Sequence, residues 1–574
     1  MRPVRRAFRP AALPLLLVAL LAACAGVPDE PHAGPSAGPA VAEGLAPEVV
    51  ATTLRVGLSR DPRSIDPRTV GDDEGELVVR ALFDGLVDIS PAGSIVGTGA
   101  ERWSVEEDGR TYRFILREAR FHDGSAVTAQ EHADALLAVF DPDRMPLFRE
   151  ELLGALLGAR VEHVLDGSDG SDATGETPLR WGTMEDVLEA GGVEVVSERE
   201  LVLRLERPDP LLLHRLTDPT LAPLPAVATD DPERFAREPV GNGPFRMAGP
   251  REPGAFVRLR ANVEHHAPPR VDELVLQVYP DDVDRSQRWA DLLAGRLQVT
   301  AIPIEQRDDA RERFGAPESD RVGAGLHELT LVSSYAYGFV LDVAPYDDVD
   351  LRRAISAAID RVGLAIELAA AGVEPAESIL PPSLGGEVPD CAHCRHDPAL
   401  ARDLAAAWRE RVGDSADDAR IVLSYPRGGG HVTVAERIAA DLERTLGLDV
   451  RLQSREFGTL VRSIVTGDAG LFRYGLRAPF GGEAAGVALL ESALRTGAEE
   501  NWVRWSDPTT DAAFDAWTPS TSRDVVRRIE SEVLDAAAVV PLLWTRQDLV
   551  VDPSVVGFRV DVTGRWWPER VGLR

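Results

Sequence analysis

Short stretches in which apolar and polar residues alternate recur along the chain, and they predict β-strands with one buried face. The alternation is clearest over residues 54–58, 112–116, 193–195 and 201–205. A period of two places successive side chains on opposite faces of a sheet. Asp108-Gly109 precedes the second stretch and predicts a hairpin turn. The third and fourth stretches predict another hairpin across residues 197–200.

The stretch FHDGSAVTAQEHADAL, residues 121–136, contains two histidines, two aspartates and a glutamate, which raises the question of a metal or acid/base site. Asp123-Gly124 predicts a turn. Thr128 and Glu131 form a capping box, in which both side chains satisfy amides at the start of a helix. The stripe that follows at helical spacing leaves His132 and Asp134 off the buried face. That stripe comprises Ala133, Leu136, Leu137 and Phe140. We therefore interpret this stretch as a turn followed by a helix start.

Strands and helices alternate in the second half of the chain. Strands are predicted over residues 271–279, 297–300, 421–425 and 448–452, and helices over residues 286–294, 351–358 and 432–446. We expect Trp289, Leu292 and Leu293 to face inward, and Gly447 to end the last helix. An earlier helix is predicted over residues 77–82. Strand, helix, strand is the order typical of α/β proteins.

The N-terminus has the pattern of a secretory signal. Four arginines precede the apolar run of residues 11–21, which is shorter than the roughly 20 residues that a membrane span needs. Leu21-Ala22-Ala23-Cys24 resembles a bacterial lipobox, in which the cysteine becomes the lipidated first residue of the mature chain. Ordinary cleavage after small residues, with Cys24 incidental, is the alternative. Residues 25–48 are rich in Pro, Gly and Ala and predict a flexible tether.

The charge of the chain excludes several classes of function. The formal net charge is −32, from 94 acidic and 62 basic residues, and every basic residue is an arginine. An acidic surface repels nucleic acid and anionic lipid. Without lysine the chain can form neither a lysine Schiff base nor a P-loop lysine contact.

Two clusters of metal-ligating residues have plainer alternatives. Cys391, His393, Cys394 and His396 could ligate zinc, but outside the cytoplasm a Cys391–Cys394 disulfide is favoured because thiols there are not kept reduced. Glu264-His265-His266 precedes two prolines, and we interpret it as an exposed turn rather than a ligand set. We therefore predict no metal and no cofactor.

Six short motifs follow one another in a fixed order. They are Leu54-Arg55-Val56-Gly57 with Ser64-Ile65-Asp66-Pro67; Leu82-Phe83-Asp84-Gly85-Leu86; Tyr112-Arg113-Phe114 with Leu116-Arg117; Phe121-His122-Asp123-Gly124 with Val127-Thr128-Ala129; Gly241-Asn242-Gly243-Pro244-Phe245; and Arg352-Arg353-Ala354 with Ala358-Ile359-Asp360-Arg361. Their order behind a lipobox resembles the family 5 solute-binding proteins, the peptide-type receptors of ATP-driven importers. The resemblance runs from about Leu54 to the C-terminus.

The resemblance implies an α/β fold of the two-lobed periplasmic-binding-protein-like type (class II, cluster C), with a hinge between the lobes and an extra subdomain. It implies a signal peptide over residues 1–23 and a lipidated tether over 24–51. The first lobe is expected to comprise residues 52–84, 191–280 and 523–574. Residues 85–190 are expected to form an insertion subdomain, and residues 281–522 the second lobe.

The resemblance also implies which residues line the ligand cleft. They are Glu74, Tyr335, Tyr337, Arg473, Tyr474, Gly475, Arg477 and Trp502. Peptide-binding members typically carry an aspartate for the ligand's ammonium where Arg477 stands here. Burying an arginine opposite an ammonium would cost several kcal/mol. We therefore expect Arg477, with Arg473 as a second donor, to hold a carboxylate or another anion.

The aromatic residues of this set are expected to stack on an organic ligand. Core packing is the alternative for each aromatic residue, and a surface position is the alternative for Arg477.

The function implied is that of a non-enzymatic, monomeric, lipid-anchored receptor at the outer face of the cell membrane. It would capture a peptide or related small organic solute by lobe closure and deliver it to the permease of an ABC-type importer, without binding nucleic acid. The alternative from a different class is a secreted metal-dependent hydrolase that uses the Cys391, His393, Cys394 and His396 cluster.

Overall fold

Strands and amphipathic helices alternate through the body of the protein, as the hydrophobic pattern predicts. The computed structural model describes residues 53–106, 108–141, 153–162, 179–279, 285–319, 321–368, 372–384, 391–413, 420–428, 430–478, 480–481, 484–498 and 500–574. The predicted signal peptide, Cys24 and the predicted tether lie outside these residues. Within them, no helix is long and apolar enough to cross a membrane.

The β-strands are numbered in chain order. They are β1 Thr53–Leu58, β2 Val87–Ile89, β3 Ile95–Gly97, β4 Ala100–Val105, β5 Thr111–Leu116, β6 Ala119–Arg120, β7 Ala126–Val127, β8 Arg160–Glu162, β9 Leu179–Trp181, β10 Val193–Ser197, β11 Glu200–Arg204, β12 Phe245–Met247, β13 Phe256–Ala261, β14 Glu273–Val278, β15 Val299–Ala301, β16 Gly325–Phe339, β17 Val373–Pro375, β18 Arg420–Pro426, β19 Asp449–Arg455, β20 Leu471–Arg477, β21 Val539–Val551, β22 Val555–Val556 and β23 Gly572–Leu573.

The α-helices are referred to by their bounds. They are Asp73–Leu82, Ala129–Leu137, Met184–Ala190, Leu212–Arg215, Val227–Asp230, Pro232–Arg237, Arg285–Leu293, Arg307–Phe314, Val349–Ala358, Arg361–Glu367, Pro398–Val412, His431–Leu446, Phe457–Val465, Ala485–Leu494, Pro508–Asp515 and Ser522–Asp535.

One mixed sheet of eleven strands runs through the protein. Its order is β12-β13-β14-β1-β15-β21-β16-β20-β18-β19, and β17 pairs with β21 beside this path. β1 is parallel to β14 and β15, and β18 is parallel to β19. β16 and β21, of 15 and 13 residues, are the longest strands and pair antiparallel with each other. This mixed sheet with helices confirms the predicted α/β class.

The apolar side chains form separate cores along this sheet. The β1 core contains Leu54, Val56 and Leu276 together with Phe558 near the C-terminus. The β18 core contains Ile421 and Leu423, and the β20 core contains Phe472 and Leu476 with helix Ala485–Leu494. A fourth, the small-sheet core, surrounds the sheet β10-β11-β5-β4. Both predicted hairpins form within this small sheet, β4–β5 and β10–β11.

The stretch FHDGSAVTAQEHADAL is a turn and a helix start, as predicted. Thr128 and Glu131 form the capping box at helix Ala129–Leu137. One detail was wrong: His132 is only 1% exposed, whereas the prediction left it off the buried face. Burial lowers the pKa of His132 to about 4, so this imidazole is a neutral core residue.

The strand–helix–strand predictions of the second half are also confirmed, with one correction. Helix His431–Leu446 connects the parallel strands β18 and β19, and Gly447 follows it in the left-handed conformation with φ of 65°. In helix Arg285–Leu293, Trp289 and Leu292 are buried as predicted. Leu293 is 42% exposed instead of facing inward, because it lies at the last position of the helix.

Two buried arginines of the sixth motif donate hydrogen bonds to backbone carbonyl oxygens. The Arg361 guanidinium donates to the carbonyl oxygens of Pro541 at 2.8 Å and Ser356 at 2.9 Å. Arg352 donates to the carbonyl oxygens of Ala536 and Tyr346, both at 2.8 Å. A planar guanidinium with five donors can satisfy several carbonyls at once. These residues therefore tie helix Val349–Ala358 to the entry of β21.

Glu530 on helix Ser522–Asp535 predicts a pH-dependent stability. Its side chain is 1% exposed, and burial raises its pKa to about 8 although the Leu380 amide donates to Oε1 at 2.7 Å. Between pH 4.5 and 8 the unfolded chain releases a proton that the folded chain keeps, so the free energy of unfolding falls as the pH rises. Glu530→Gln should raise the free energy of unfolding at pH 9 by roughly 2 to 4 kcal/mol, with little effect at pH 5.

Urea denaturation at both pH values checks this expectation. Asp524→Asn on the same helix is the control. The Asp524 side chain is 80% exposed, so this substitution should not raise the free energy of unfolding at pH 9 as Glu530→Gln does. Equal stability of Glu530→Gln and the wild type at pH 9 would contradict it.

Candidate functional site

Antiparallel pairing of β16 with β20 brings five of the predicted ligand-binding residues onto one face of the sheet. The cross-strand pairs are Ser333 with Arg477, Tyr335 with Gly475, and Tyr337 with Arg473. Residues directly opposite each other share a face, and successive residues alternate between faces. Tyr474 therefore points to the other face of the sheet, away from Arg477.

A cavity of about 130 Å³ lies where β20 meets the start of helix Asp73–Leu82. Glu74 and Arg477 line it, whereas the other predicted ligand-binding residues are not among its described lining residues. The charged side chains around it are Asp73, Glu74, Glu76, Arg80, Arg477 and Arg565. Three carboxylates thus face three guanidinium groups, a balance that suits a neutral or zwitterionic molecule better than a bare anion.

Arg477 is already paired with a carboxylate of its own chain. Its Nη2 donates to Asp73 Oδ1 at 2.5 Å, across 404 residues of sequence. Both side chains are about half exposed. A carboxylate of the kind that Arg477 was expected to hold is thus supplied, in this structure, by Asp73 of the same chain.

Glu74 is the carboxylate of this cavity that is least well solvated. Its side chain is 11% exposed, and burial raises its pKa although Arg60 Nε lies 3.1 Å from Oε2 and opposes the shift. A desolvated carboxylate is stabilised by a cationic or hydrogen-bond-donating partner. Glu74 therefore favours a ligand that carries an ammonium or another donor.

The remaining charges of the cavity form fixed pairs. Glu76 Oε1 accepts from Arg80 Nε at 2.7 Å, and Asp88 Oδ1 accepts from Arg565 Nη1 at 2.8 Å. Desolvation raises the pKa of Glu76, but the Arg80 guanidinium lowers it by more, so the pKa lies below its usual value. Sequence reasoning missed Asp73 and Glu76, and it missed Arg60, Arg80 and Arg565, which pair with carboxylates at or near the cavity. The acidic run Asp72-Asp73-Glu74 at a helix start was the available signal, since carboxylates favour that end of the helix dipole.

Arg473 stacks under Tyr335 on the same face of the sheet. The guanidinium carbon lies 3.9 Å from the ring centroid, and Tyr335 Oη lies 2.9 Å from His431 Nδ1. Among the described residues, Arg473 Nε is buried without a hydrogen-bond partner. Burial lowers the pKa of Arg473, against the effect of the neighbouring tyrosines. Arg473 is thus a desolvated cation beside the start of helix His431–Leu446. This position suits a ligand group that carries partial negative charge.

The other predicted aromatic residues pack in cores. Tyr337 is fully buried in the β18 core. Tyr474 is 2% exposed in the β20 core, where its hydroxyl lies 2.6 Å from the Glu500 carbonyl oxygen and 3.2 Å from that of Ala493. Trp502 packs on Tyr474 with ring centroids 5.8 Å apart. In this structure these three residues pack within the protein, which was the alternative to stacking on a ligand.

The cysteine cluster is closed in this structure. Cys391 and Cys394 are joined by a disulfide, so neither sulfur is available as a thiolate ligand. His393 Nε2 lies 2.7 Å from the Leu534 carbonyl oxygen, and His396 Nδ1 lies 3.8 Å from Asp360 Oδ1. The arrangement does not support the hydrolase alternative, which needs these residues as zinc ligands.

The segment Glu264-His265-His266 is a turn in which Glu264 and His266 are exposed, as predicted, whereas the His265 side chain is largely buried. The His265 side chain is 7% exposed, and its Nε2 lies 2.8 Å from Asp84 Oδ2. Asp84 belongs to the second motif, and its backbone is held by Asn242 of the fifth. The two motifs are thus partners in space, which their separation in sequence did not reveal.

Comparisons with known proteins agree with this architecture. Residues 94–524 match the family described as "Bacterial extracellular solute-binding proteins, family 5 Middle". The chain is 22% identical over 535 residues to the oligopeptide-binding protein OppA of Bacillus subtilis strain 168, covering 89% of this chain and 91% of OppA. It is 25% identical over 529 residues to the probable deoxycholate-binding periplasmic protein YgiS of Escherichia coli K12, covering 90% and 91%.

A solved structure shares the fold. Haemophilus influenzae OppA in complex with RPPGFSPFR has a TM-score of 0.66 and 19% sequence identity, and the match covers 91% of this chain and 99% of that one.

The two faces of the paired strands β16 and β20 should respond differently to loss of a tyrosine hydroxyl. Tyr474→Phe leaves the buried carbonyl of Glu500 without this donor, so it should lower the free energy of unfolding by about 1 to 2 kcal/mol. Tyr335→Phe removes one contact with the partly exposed His431, so it should lower the free energy of unfolding by less than about 1 kcal/mol. Urea denaturation of both variants measures the difference. A larger loss for Tyr335→Phe would contradict the assignment of faces.

Proposed function

Because this chain belongs to the bacterial extracellular solute-binding proteins of family 5, we propose that it captures a peptide or a related small organic solute and delivers it to the permease of an ABC-type importer. The family consists of binding proteins rather than enzymes and acts outside the cytoplasm. The observation that carries the proposal is the charge-balanced cavity between helix Asp73–Leu82 and β20. Curated relatives named for oligopeptide and deoxycholate binding support this range of solutes.

The body divides, on this proposal, into two lobes and an insertion whose limits differ from those expected from the sequence. We assign β15 and the first half of β16 to the first lobe, because β15 pairs with β1 and the first half of β16 pairs with the end of β21. Helix Ser522–Asp535 packs in the β20 core instead of the first lobe. β10 and β11 belong to the small sheet, so the insertion extends past residue 190.

The hinge of this proposal is the paired strands β16 and β21. Their register runs from Gly325↔Val551 to Thr330↔Arg546, is interrupted, and resumes at Ser334↔Trp544. The first part borders the β1 core and the second part borders the β18 core. An interruption in a ladder leaves a place where two halves can rotate without breaking the rest of the pairing.

Closure of the lobes would place the ligand between Glu74 and Arg477. Asp73 and Glu74 belong to the first lobe and Arg477 to the second, so their ion pair crosses the cleft. Because Asp73 neutralises Arg477, a free N-terminal ammonium is no longer excluded, and Glu74 offers it a desolvated carboxylate. We propose a peptide with a free N-terminus as the preferred ligand, with Arg473 near its negative end.

Anchoring of the mature protein through Cys24 remains part of the proposal. The basis is the sequence pattern at residues 21–24 and the Pro, Gly and Ala-rich tether that follows. A tether of this kind would keep the binding body beside the permease at the outer face of the membrane. The ABC permease is the partner that the family implies.

The ligand can be identified with the purified protein and then used to test Glu74. Mass spectrometry of released small molecules, followed by thermal shift, should find a peptide that raises the melting temperature; a ligand at a hundredfold excess over Kd stabilises by about 2.7 kcal/mol. Glu74→Gln should weaken binding of that peptide by roughly 10 to 100-fold, and N-acetylation of the peptide should do the same. Equal binding of free and acetylated peptides would overturn the role of Glu74. Release of an anionic solute instead of a peptide would overturn the proposal that the ligand is a peptide.

A double-mutant cycle tests whether the Asp73–Arg477 pair holds the closed form. Asp73→Asn and Arg477→Gln should each weaken ligand binding by about 2 to 10-fold, and the double variant should be no worse than either. The control is Arg420→Gln, which breaks a similarly exposed pair with Asp449 between neighbouring strands. Additive losses, or no loss, in isothermal titration would show that the pair does not couple the lobes.

A further inference from the structure

A second group of chemically capable side chains lies in a different cavity from that of Arg477. Asp84, His265 and His266 each turn one ligand atom toward the others, and these atoms all lie within 4.8 Å of one another. Asp84 Oδ2 is 2.8 Å from His265 Nε2 and 3.9 Å from His266 Nδ1. Two imidazoles and one carboxylate are a donor set that first-row transition metals prefer.

The spacing of these atoms fits a metal ion. Zinc binds imidazole nitrogen at about 2.0–2.1 Å and carboxylate oxygen at about 2.0–2.2 Å, which places neighbouring ligand atoms about 3.0–3.4 Å apart. The two measured distances lie on either side of that range. An ion would therefore replace the hydrogen bond between Asp84 and His265 and draw His266 inward by less than about 1 Å.

The backbone around the three side chains holds them in place. Asn242 Oδ1 accepts from the Asp84 amide, and its Nδ2 donates to the Asp84 carbonyl oxygen, both at 3.0 Å. His265 Nδ1 lies 3.0 Å from the Ala267 carbonyl oxygen. With its proton on Nδ1, His265 donates to this carbonyl and directs Nε2 toward the metal, as ligating histidines commonly do. The Ala267 amide lies 3.2 Å from the same nitrogen and favours the opposite tautomer when no metal is bound.

The neighbouring side chains of His122 and Arg117 already have hydrogen-bond partners and do not occupy the place between Asp84, His265 and His266. His122 uses both ring nitrogens, since Nδ1 accepts from the Gly241 amide at 3.2 Å and Nε2 lies 3.1 Å from the Gly243 carbonyl oxygen. Arg117 donates to the Thr98 carbonyl oxygen at 2.9 Å. The surrounding cavity of about 340 Å³ has room for water molecules that would complete the coordination.

We propose that Asp84, His265 and His266 form a binding site for one divalent transition-metal ion of the zinc type, with at least one coordination position open to the cavity. The site is independent of the proposed ligand cleft. It would join the end of helix Asp73–Leu82 to the segment after β13, two parts of the β1 core region that are 181 residues apart. A metal here would stabilise the fold around the helix whose first turn lines the cleft.

The test is isothermal titration of the untagged mature protein, dialysed against a chelator, with Zn²⁺ alone. We expect saturable binding of one Zn²⁺ per chain and a higher melting temperature with zinc. His266→Ala should weaken binding at least tenfold without unfolding the protein, because the His266 side chain is 32% exposed. Asp84→Asn should weaken it similarly.

The matched control is His396→Ala, which removes another partly exposed histidine beside a carboxylate and near the cysteines. It should leave zinc affinity unchanged. Absence of saturable binding, or binding that His266→Ala does not weaken, would overturn the site. No organic ligand enters this titration, so its failure would leave the proposed solute-binding function standing, and failure to find a solute would leave the metal site standing.

Discussion

The pairing of β16 with β21 is the constraint on which the rest of the structure depends. These two strands are long enough to pass from the β1 core to the β18 core, and each core is completed by side chains from both of them. A continuous ladder would make the two regions one rigid sheet. On the proposed function, the interruption between Thr330 and Ser334 is the place where the two parts of this single sheet would move relative to each other.

The second consequence of this arrangement is electrostatic. Strand β20 is next to β16, so Arg477 reaches the first turn of helix Asp73–Leu82, which the chain forms 404 residues earlier. The cavity between them contains equal numbers of acidic and arginine side chains although the whole chain carries a net charge of −32. A site with balanced charges inside an acidic surface can hold a zwitterion while the surface repels anions.

The local structure was predictable from sequence because local patterns determine it. The capping box at Thr128, the hairpin at Asp108-Gly109 and the helix end at Gly447 each depend on a few consecutive residues, and each is found as predicted. His132 was misplaced because a strict stripe of apolar residues does not identify a neutral histidine as a core residue. The sequence pattern did not show which strands pair: β15 lies beside β1, with Val56 opposite Val299, although the two strands are far apart in the sequence.

The ligand site shows why sequence position alone gives an incomplete account of a charged residue. Arg477 lines the cavity next to helix Asp73–Leu82, but the carboxylate that was expected from a ligand is supplied there by Asp73. Asp73 neutralises Arg477, and Glu74 beside Asp73 is a desolvated carboxylate whose pKa stays raised although Arg60 opposes the shift. The same reasoning applies to His265, which looks like a turn residue until Asp84 is seen beside it. In both places the partner, rather than the residue itself, determines whether the site attracts an anion, an ammonium or a metal ion.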